Sequence, residues 1–443
     1  MASPRTSSKT VVGLDIEPGF VAAAQVRVNG TLTVERAAGA TLPPGVLRDG
    51  EVADVEALAE ALRELFQANK LGKKVRLGVA TQRIVVRTID LPPLEDDKQI
   101  EAAVRFQAQD HIPMPLDQAV LSHQALGVVD TPDGPRTRVV LVAARRDVVE
   151  RFHAAARQAG LRPVGIDLAA FAMIRALHDG TPGATLYVSV GGMTNLALAE
   201  GTTCVFTRVV PGGVEALAGA LAERRGLTLE HARQWLVHVG LTTPLEQIEG
   251  DPEVVEEARS VLADGVRRIA DEVRNSLDFH RAQVGALAAE HAVLTGPAVA
   301  IPGFCEALGA ATGLPVTAGV VHETRAGGHG GIAANRLAIA AGLAIEEAPP
   351  RSAVEPPAPA PEPAPAPEPA FVPAPAPEAA FDPAPAPEAA FDPAPAPEPT
   401  AELDVAPEPE PEAAFDPAPT PAPTPEPTAE LDVAPEPEPE AEA

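Results

Sequence analysis

The chain has little cysteine and little aromatic content, no long apolar run and no concentration of positive charge. Its two cysteines, Cys204 and Cys305, match neither a zinc spacing nor a disulfide framework, so structural metal chemistry is not indicated and a reducing compartment is expected. No apolar stretch approaches the roughly 18 residues of a membrane span, and Met1 to Thr10 lacks the apolar core of a signal peptide. With a net charge of -28 and no Lys/Arg cluster, broad binding to nucleic acid or to an anionic membrane is excluded as a working expectation.

The charge is unevenly spread. Residues 348–443 hold 32 prolines, 21 acidic residues, the single base Arg351 and no glycine, so 20 of the 28 negative charges belong to this segment. It repeats Phe-Asp-Pro-Ala-Pro-Ala-Pro-Glu from Phe381 and Phe391, with variants at Phe371 and Phe415, and a second unit starts at Thr400 and Thr428. Alternating proline forbids helix and sheet interiors, and repulsion among acids extends a coil, so residues 348–443 are expected to be a disordered tail. It would serve as a spacer, or its periodic phenylalanines would dock a basic protein by avidity.

The remaining body alternates strand and helix. Asn29-Gly30 between the apolar runs 20–28 and 31–34 predicts a hairpin. Asp54 caps a helix to about Gln67, with Leu58, Leu62 and Leu65 on one face. Strands are expected at 75–80, 84–89 and 138–144. A helix over 96–110 buries Ile100, Val104 and Ala108 and ends near Pro113. Asp147 and Glu150 form a capping box for the next helix, which Gly160 ends.

The second half opens in the same way, with strands at 185–190, 195–199 and 202–210 joined by glycine turns. Helices follow over 214–223, 228–239 and about 252–280; a short strand 293–295 comes next, another is placed at 315–316, and a final helix spans 332–344. Two halves that each begin with hairpins and continue with helices predict an α/β architecture of duplicated lobes with a cleft between them. Trp235 and both cysteines read as packing residues. The ten histidines are scattered, and His231 and His238 lack the further ligand that a metal site needs.

Several stretches resemble the PilM family, the actin-like component of type IV pilus assembly: Val12-Gly13-Leu14-Asp15-Ile16, Ala102 to Phe106 leading to His111-Ile112-Pro113-Met114-Pro115-Leu116, Ala159 to Asp167, Gly191 to Leu196, Glu272 to Phe279 and Gly342-Leu343-Ala344. The resemblance covers about residues 9–345. It implies actin-like, ribonuclease H-like lobes, with lobe I and an inserted subdomain over 9–180 and lobe II over 181–347. It further implies ATP and Mg²⁺ between the lobes, and a cytoplasmic scaffold held at the inner face of the membrane by protein partners. Those partners would be the N-terminal peptide of a PilN-like inner-membrane protein and other pilus assembly components.

By that resemblance Asp15 would organise the metal, and Gly191, Gly192, Thr194 and Gly296 would contact nucleotide. A structural Asp beside a hairpin and plain glycine turns remain open alternatives. Glu17 stands where the family's first phosphate loop has glycine, Pro18 removes an amide donor, and Ser189 replaces the second carboxylate. Nucleotide binding is therefore expected to be weak or lost, with no catalytic residue assigned. Arg105 and Phe106 are candidates for contact with the partner peptide, or ordinary surface and packing residues. An Mg-ATP-dependent ATPase or phosphotransferase, and a filament-forming cell-shape or division protein, are the rival readings.

Overall fold

The computed structural model describes residues 11–29, 31–94, 96–131, 134–283, 286–321 and 332–345. The expectations for the acidic tail, and the turn glycine Gly30, lie outside them. The first half builds β1 (Val12–Glu17), β2 (Phe20–Asn29), β3 (Thr31–Thr41), the short pair β4 (Leu47–Arg48) and β5 (Glu51–Val52), α1 (Val55–Asn69) and β6 (Lys74–Val79). An insertion follows: β7 (Val85–Leu91), α2 (Asp97–His111), β8 (Ala119–Thr131) and β9 (Gly134–Arg145). The half closes with α3 (Arg146–Gln158), β10 (Arg162–Leu168) and α4 (Ala169–Leu177).

The second half comprises β11 (Ala184–Val190), β12 (Thr194–Glu200), β13 (Thr203–Val210), α5 (Val214–Arg225), α6 (Leu229–Val239), α7 (Pro252–Arg281), β14 (His291–Thr295), α8 (Phe304–Thr312), β15 (Val316–Ala318) and α9 (Ala338–Leu343). Sheet I has the order β10-β6-β1-β2-β3 and sheet II the order β13-β12-β11-β14-β15. In both, three antiparallel strands come first and the later strands add in parallel beside the first. The insertion makes its own sheet, β7-β9-β8.

Alternation explains how sheet I is covered on both faces. Val12, Leu14 and Ile16 of β1, with Val21 and Ala23 of β2, pack under α1 and α3 against Leu58, Leu62 and Phe152. Ala22 and Ala24 turn the other way, toward Ala340 and Ala341 of α9. Gly13 and Asp15 share that second face. Helices α4 and α9 fill the space between the two sheets, where Met173 and Leu343 meet Tyr187 and Ala197 of sheet II. The helix that ends the second half in sequence thus packs on the sheet of the first.

Local signals behave as their chemistry requires. The Asp54 carboxylate accepts from the Ala57 amide at 2.9 Å, and Asp251 caps α7, whose apolar stripe runs from Val254 to Leu277. Two expectations need correction. The capping box at Asp147 is not formed: α3 begins at Arg146, two residues before the start that a cap at Asp147 would set, and Asp147 sits inside the first turn, accepting from Val148 N at 3.0 Å and pairing with Arg145. The final helix is also shorter than its alanine content suggests, because residues 334–336 form a separate 3-10 turn before α9. Cys204 is buried, and burial pushes its thiol up to about 12, which makes it an inert packing residue. Among the described residues no helix is long and apolar enough to cross a membrane.

Candidate functional site

Two glycine-bearing turns face each other across the cleft between the sheets. The β1–β2 turn brings Glu17 and Pro18; the β11–β12 turn brings Gly191 and Gly192. Glu17 Oε2 accepts a 2.8 Å hydrogen bond from the Gly192 amide, and its other oxygen lies 3.6 Å from Arg336 Nη1. Arg336 also reaches Glu215 Oε1, at 3.7 Å from Nη2, and lies 4.2 Å above the Phe20 ring. Arg233 grips Glu215 through both carboxylate oxygens at 2.6–3.1 Å. At 3.6 and 3.7 Å the Arg336 contacts are ion pairs rather than hydrogen bonds, and Arg336 Nη1 and the neighbouring Asn335 Oδ1 have no hydrogen-bond partner among the described residues.

The space beside this cluster, lined by Asp15, Glu17, Ser189, Thr295, Gly296 and Arg336, has a volume of about 10 Å³, room for roughly one water molecule. Asp15 is only 9% exposed. Burial first, then the neighbouring Glu17, raises its carboxyl well above the ordinary range, with Arg336 opposing. Burial raises Glu17 too, against the pull of Arg336 and the Gly192 amide. A raised acid holds a proton in the folded protein that the unfolded chain has released, so stability falls as pH rises from the ordinary carboxylate range toward the folded value. We expect Asp15→Asn to remove part of that loss, raising stability at pH 7.5 by roughly 1–3 kcal/mol and flattening the dependence of Tm on pH. Calorimetry between pH 5 and 8 checks it; an unchanged slope would mean that Asp15 is not a source of the pH dependence.

The glycines are explained by the fit of the turns. A Cβ at Gly191 would stand 2.2 Å from Glu17 Oε2, and one at Gly192 would stand 2.2 Å from the Pro18 carbonyl oxygen. Gly296 adopts φ 87° and donates its amide to the Asn335 carbonyl at 2.9 Å. The Thr194 hydroxyl is buried and donates to the Gly212 carbonyl at 2.9 Å. Asp15, Gly191, Gly192 and Gly296 therefore converge on one place, whereas Thr194 is engaged behind the turn. The sequence reading did not single out Arg336, Glu215 or Arg233, which complete the cluster.

A second concavity lies between the inserted sheet and the β6–β10 end of sheet I. It has a volume of about 430 Å³ and mixes apolar walls (Val120, Val140, Val142, Phe171) with the pair Asp167 and Arg175. Strand alternation decides which side chains reach it. Val139, Leu141 and Ala143 of β9 turn to the core beneath α2, beside Ile100, Val104 and Ala108, while Val140, Val142 and Ala144 line the groove. Arg105 and Phe106 ride on the outer side of α2, where Phe106 is 73% exposed, and neither lines the groove. The groove also touches two strands at the ends of their sheets, β8 and β10. The Arg175 guanidinium ties its floor to α9, donating to the Gly342 carbonyl at 3.1 and 3.2 Å as well as to Asp167.

The family model described as type IV pilus assembly protein PilM matches residues 13–347. This chain belongs to that family. A solved PilM-PilN type IV pilus biogenesis complex is 25% identical with a TM-score of 0.61, covering 76% of this chain and 97% of its own. EutJ, an ethanolamine utilization protein from Carboxydothermus hydrogenoformans, is 16% identical over 78% of this chain and 90% of its own, at a TM-score of 0.44. MreB5 of Spiroplasma citri, solved with ADP, is 15% identical over 76% and 95%, at 0.43. The α/β architecture is shared with the PilM of the solved PilM-PilN complex. Among the described residues no group of three or more His, Cys, Asp or Glu is placed to hold a metal ion.

Proposed function

We propose that this chain is a cytoplasmic adaptor of type IV pilus assembly, one that seats an extended N-terminal peptide of a PilN-like inner-membrane protein and works without nucleotide turnover. The solved PilM-PilN complex supports the partner. The groove between β8, β9 and β10 supports the place, and it carries the reading: apolar walls accept alternate side chains, while open strand edges offer backbone hydrogen bonds. The matching order of the two five-stranded sheets supports a duplicated ribonuclease H-like origin of the lobes.

The cleft residues do not fit Mg-ATP as they stand. A phosphate needs free amides and room, and here the Gly192 amide is taken by Glu17 and the remaining space is that of one water. The Glu17 carboxylate, which already occupies that amide and faces Arg336, would also repel it.

Titration of the full chain with a PilN-like N-terminal peptide tests the adaptor. We expect Val142→Asp, which puts a charge in the apolar wall, to weaken binding by at least about tenfold, and Phe106→Ala to leave it within about threefold. The reverse pattern would move the docking site to the outer face of α2 and refute the groove.

A further inference from the structure

The cleft contains an acidic side chain doing what an anionic ligand does elsewhere. Glu17 belongs to lobe I, yet its carboxylate accepts the backbone amide of Gly192 in lobe II at 2.8 Å and faces the Arg336 guanidinium at 3.6 Å. An anion that takes a glycine-turn amide on one side and a guanidinium on another has the donor set of a bound phosphate. We infer that the Glu17 carboxylate is an internal ligand: it bridges the two lobes in place of a phosphate and holds the cleft closed in the absence of any nucleotide. The inference goes beyond the adaptor reading and does not depend on where a peptide docks.

Three observations carry it. The approach of the turns is close enough to demand glycine at 192, where a Cβ would stand 2.2 Å from the Pro18 carbonyl oxygen, and a Cβ at Gly191 would have to push the Glu17 carboxylate aside. The glycines of lobe II are therefore used to admit a side chain and a turn of lobe I. The charge is balanced within the chain: Arg336 lies between Glu17 and Glu215, and Arg233 neutralises Glu215 from the far side. Finally, Arg336 is fixed by the Phe20 ring, which sits on the same β1–β2 hairpin as Glu17. Guanidinium, ring and carboxylate form a latch whose parts come from both halves of the chain.

Amide exchange of Gly192 and calorimetric titration with Mg-ATP, both on the full chain, test the latch. In the wild type we expect no change in Gly192 exchange at millimolar Mg-ATP and no measurable heat of binding. In Glu17→Gly, the acceptor is gone and Arg336 is left with one fewer carboxylate; Gly192 exchange is expected to rise at least about tenfold, the worth of one charge-assisted hydrogen bond, and Mg-ATP to bind at least about tenfold more tightly than to wild type. Glu17→Gln keeps a carbonyl for the amide, so its exchange stays within about threefold of wild type, which separates loss of the acceptor from general loosening. Protection of Gly192 by Mg-ATP in the wild type, or equal exchange in Glu17→Gly and wild type, would overturn the inference. A failed peptide titration would remove the adaptor reading and leave these results unaffected.

Discussion

Arg336→Met is expected to lower stability by about 3–5 kcal/mol at pH 7.5, the cost of removing one partner from a buried ionic cluster. Methionine is unbranched and uncharged, so the loss reports on the guanidinium, including its place over the Phe20 ring. Without the guanidinium, Glu17 faces Asp15 from the same strand, and Glu215 retains only Arg233. At roughly 2–4 °C per kcal/mol for a domain of 150–250 residues, Tm falls on the order of 10 °C. The pH dependence carries a sign that simple misfolding would not. Arg336 lowers both Asp15 and Glu17, so its removal lets both rise further. The variant's deficit should then shrink as pH falls toward 5, because folded carboxylates that hold protons no longer repel. Combining it with Glu17→Gln should recover a large share of the loss at pH 7.5, a coupling of the size expected for groups in direct contact. Additive losses would show that Arg336 acts through Glu215 and Phe20 rather than through Glu17.

The elements with a one-sided pattern were legible in the sequence. Asp54 with Leu58, Leu62 and Leu65 gives α1 its cap and its buried face, and the stripe of α7 repeats every three or four residues over its whole length. Helix α4 is different: Leu168 stands at its N-cap without a side-chain bond, and Ala169, Ala170, Ala172, Met173 and Ile174 are all buried, so no polar face sets a period. Strand β8 escapes for the opposite reason, since its outer half is largely exposed and its side chains obey no strict alternation. At the site, Glu17 and Pro18 were visible as departures from a phosphate-binding turn. Gly192 was visible as part of the second turn, but Glu215, Arg233 and Arg336 were not, because they stand between 198 and 319 residues from Glu17, and no local spacing marks an arginine that folding alone brings to that carboxylate. For Arg105 and Phe106 the helical stripe buries Val104 and Ala108 and leaves both residues outward, and the pairing of β9 with β7 and β8 shows that the concavity opens on the other face of that sheet.

Gly342→Ala is expected to destabilise the protein by about 3 kcal/mol or more, at or beyond the upper end of ordinary overpacking. An added Cβ would lie 1.8 Å from the Ala172 carbonyl oxygen and 2.5 Å from its carbon. Both atoms are backbone of α4, so no rotamer can relieve the clash; α4 and α9 would have to separate. That movement has nowhere to go, because α9 is pressed on its other side against β1, where a Cβ at Gly13 would come 1.8 Å from the Ala340 carbonyl oxygen. The helix end is also tied down, with its terminal carbonyls at Leu343 and Ile345 accepting from Arg76 at 3.0 and 2.9 Å, which satisfies acceptors that a helix leaves open. The Gly342 carbonyl takes Arg175, whose other bond positions Asp167 in the groove. Separation of the helices should therefore weaken peptide binding as well as lower Tm, although residue 342 does not line the groove. Gly219→Ala serves as the control. It lies inside α5 with nothing within 4 Å of the added Cβ, and there the same substitution should stabilise by roughly 0.5–1 kcal/mol through helix propensity alone. Opposite signs at the two positions would establish close approach of backbones as the reason for glycine in α9; equal small gains would show that the two helices can part freely.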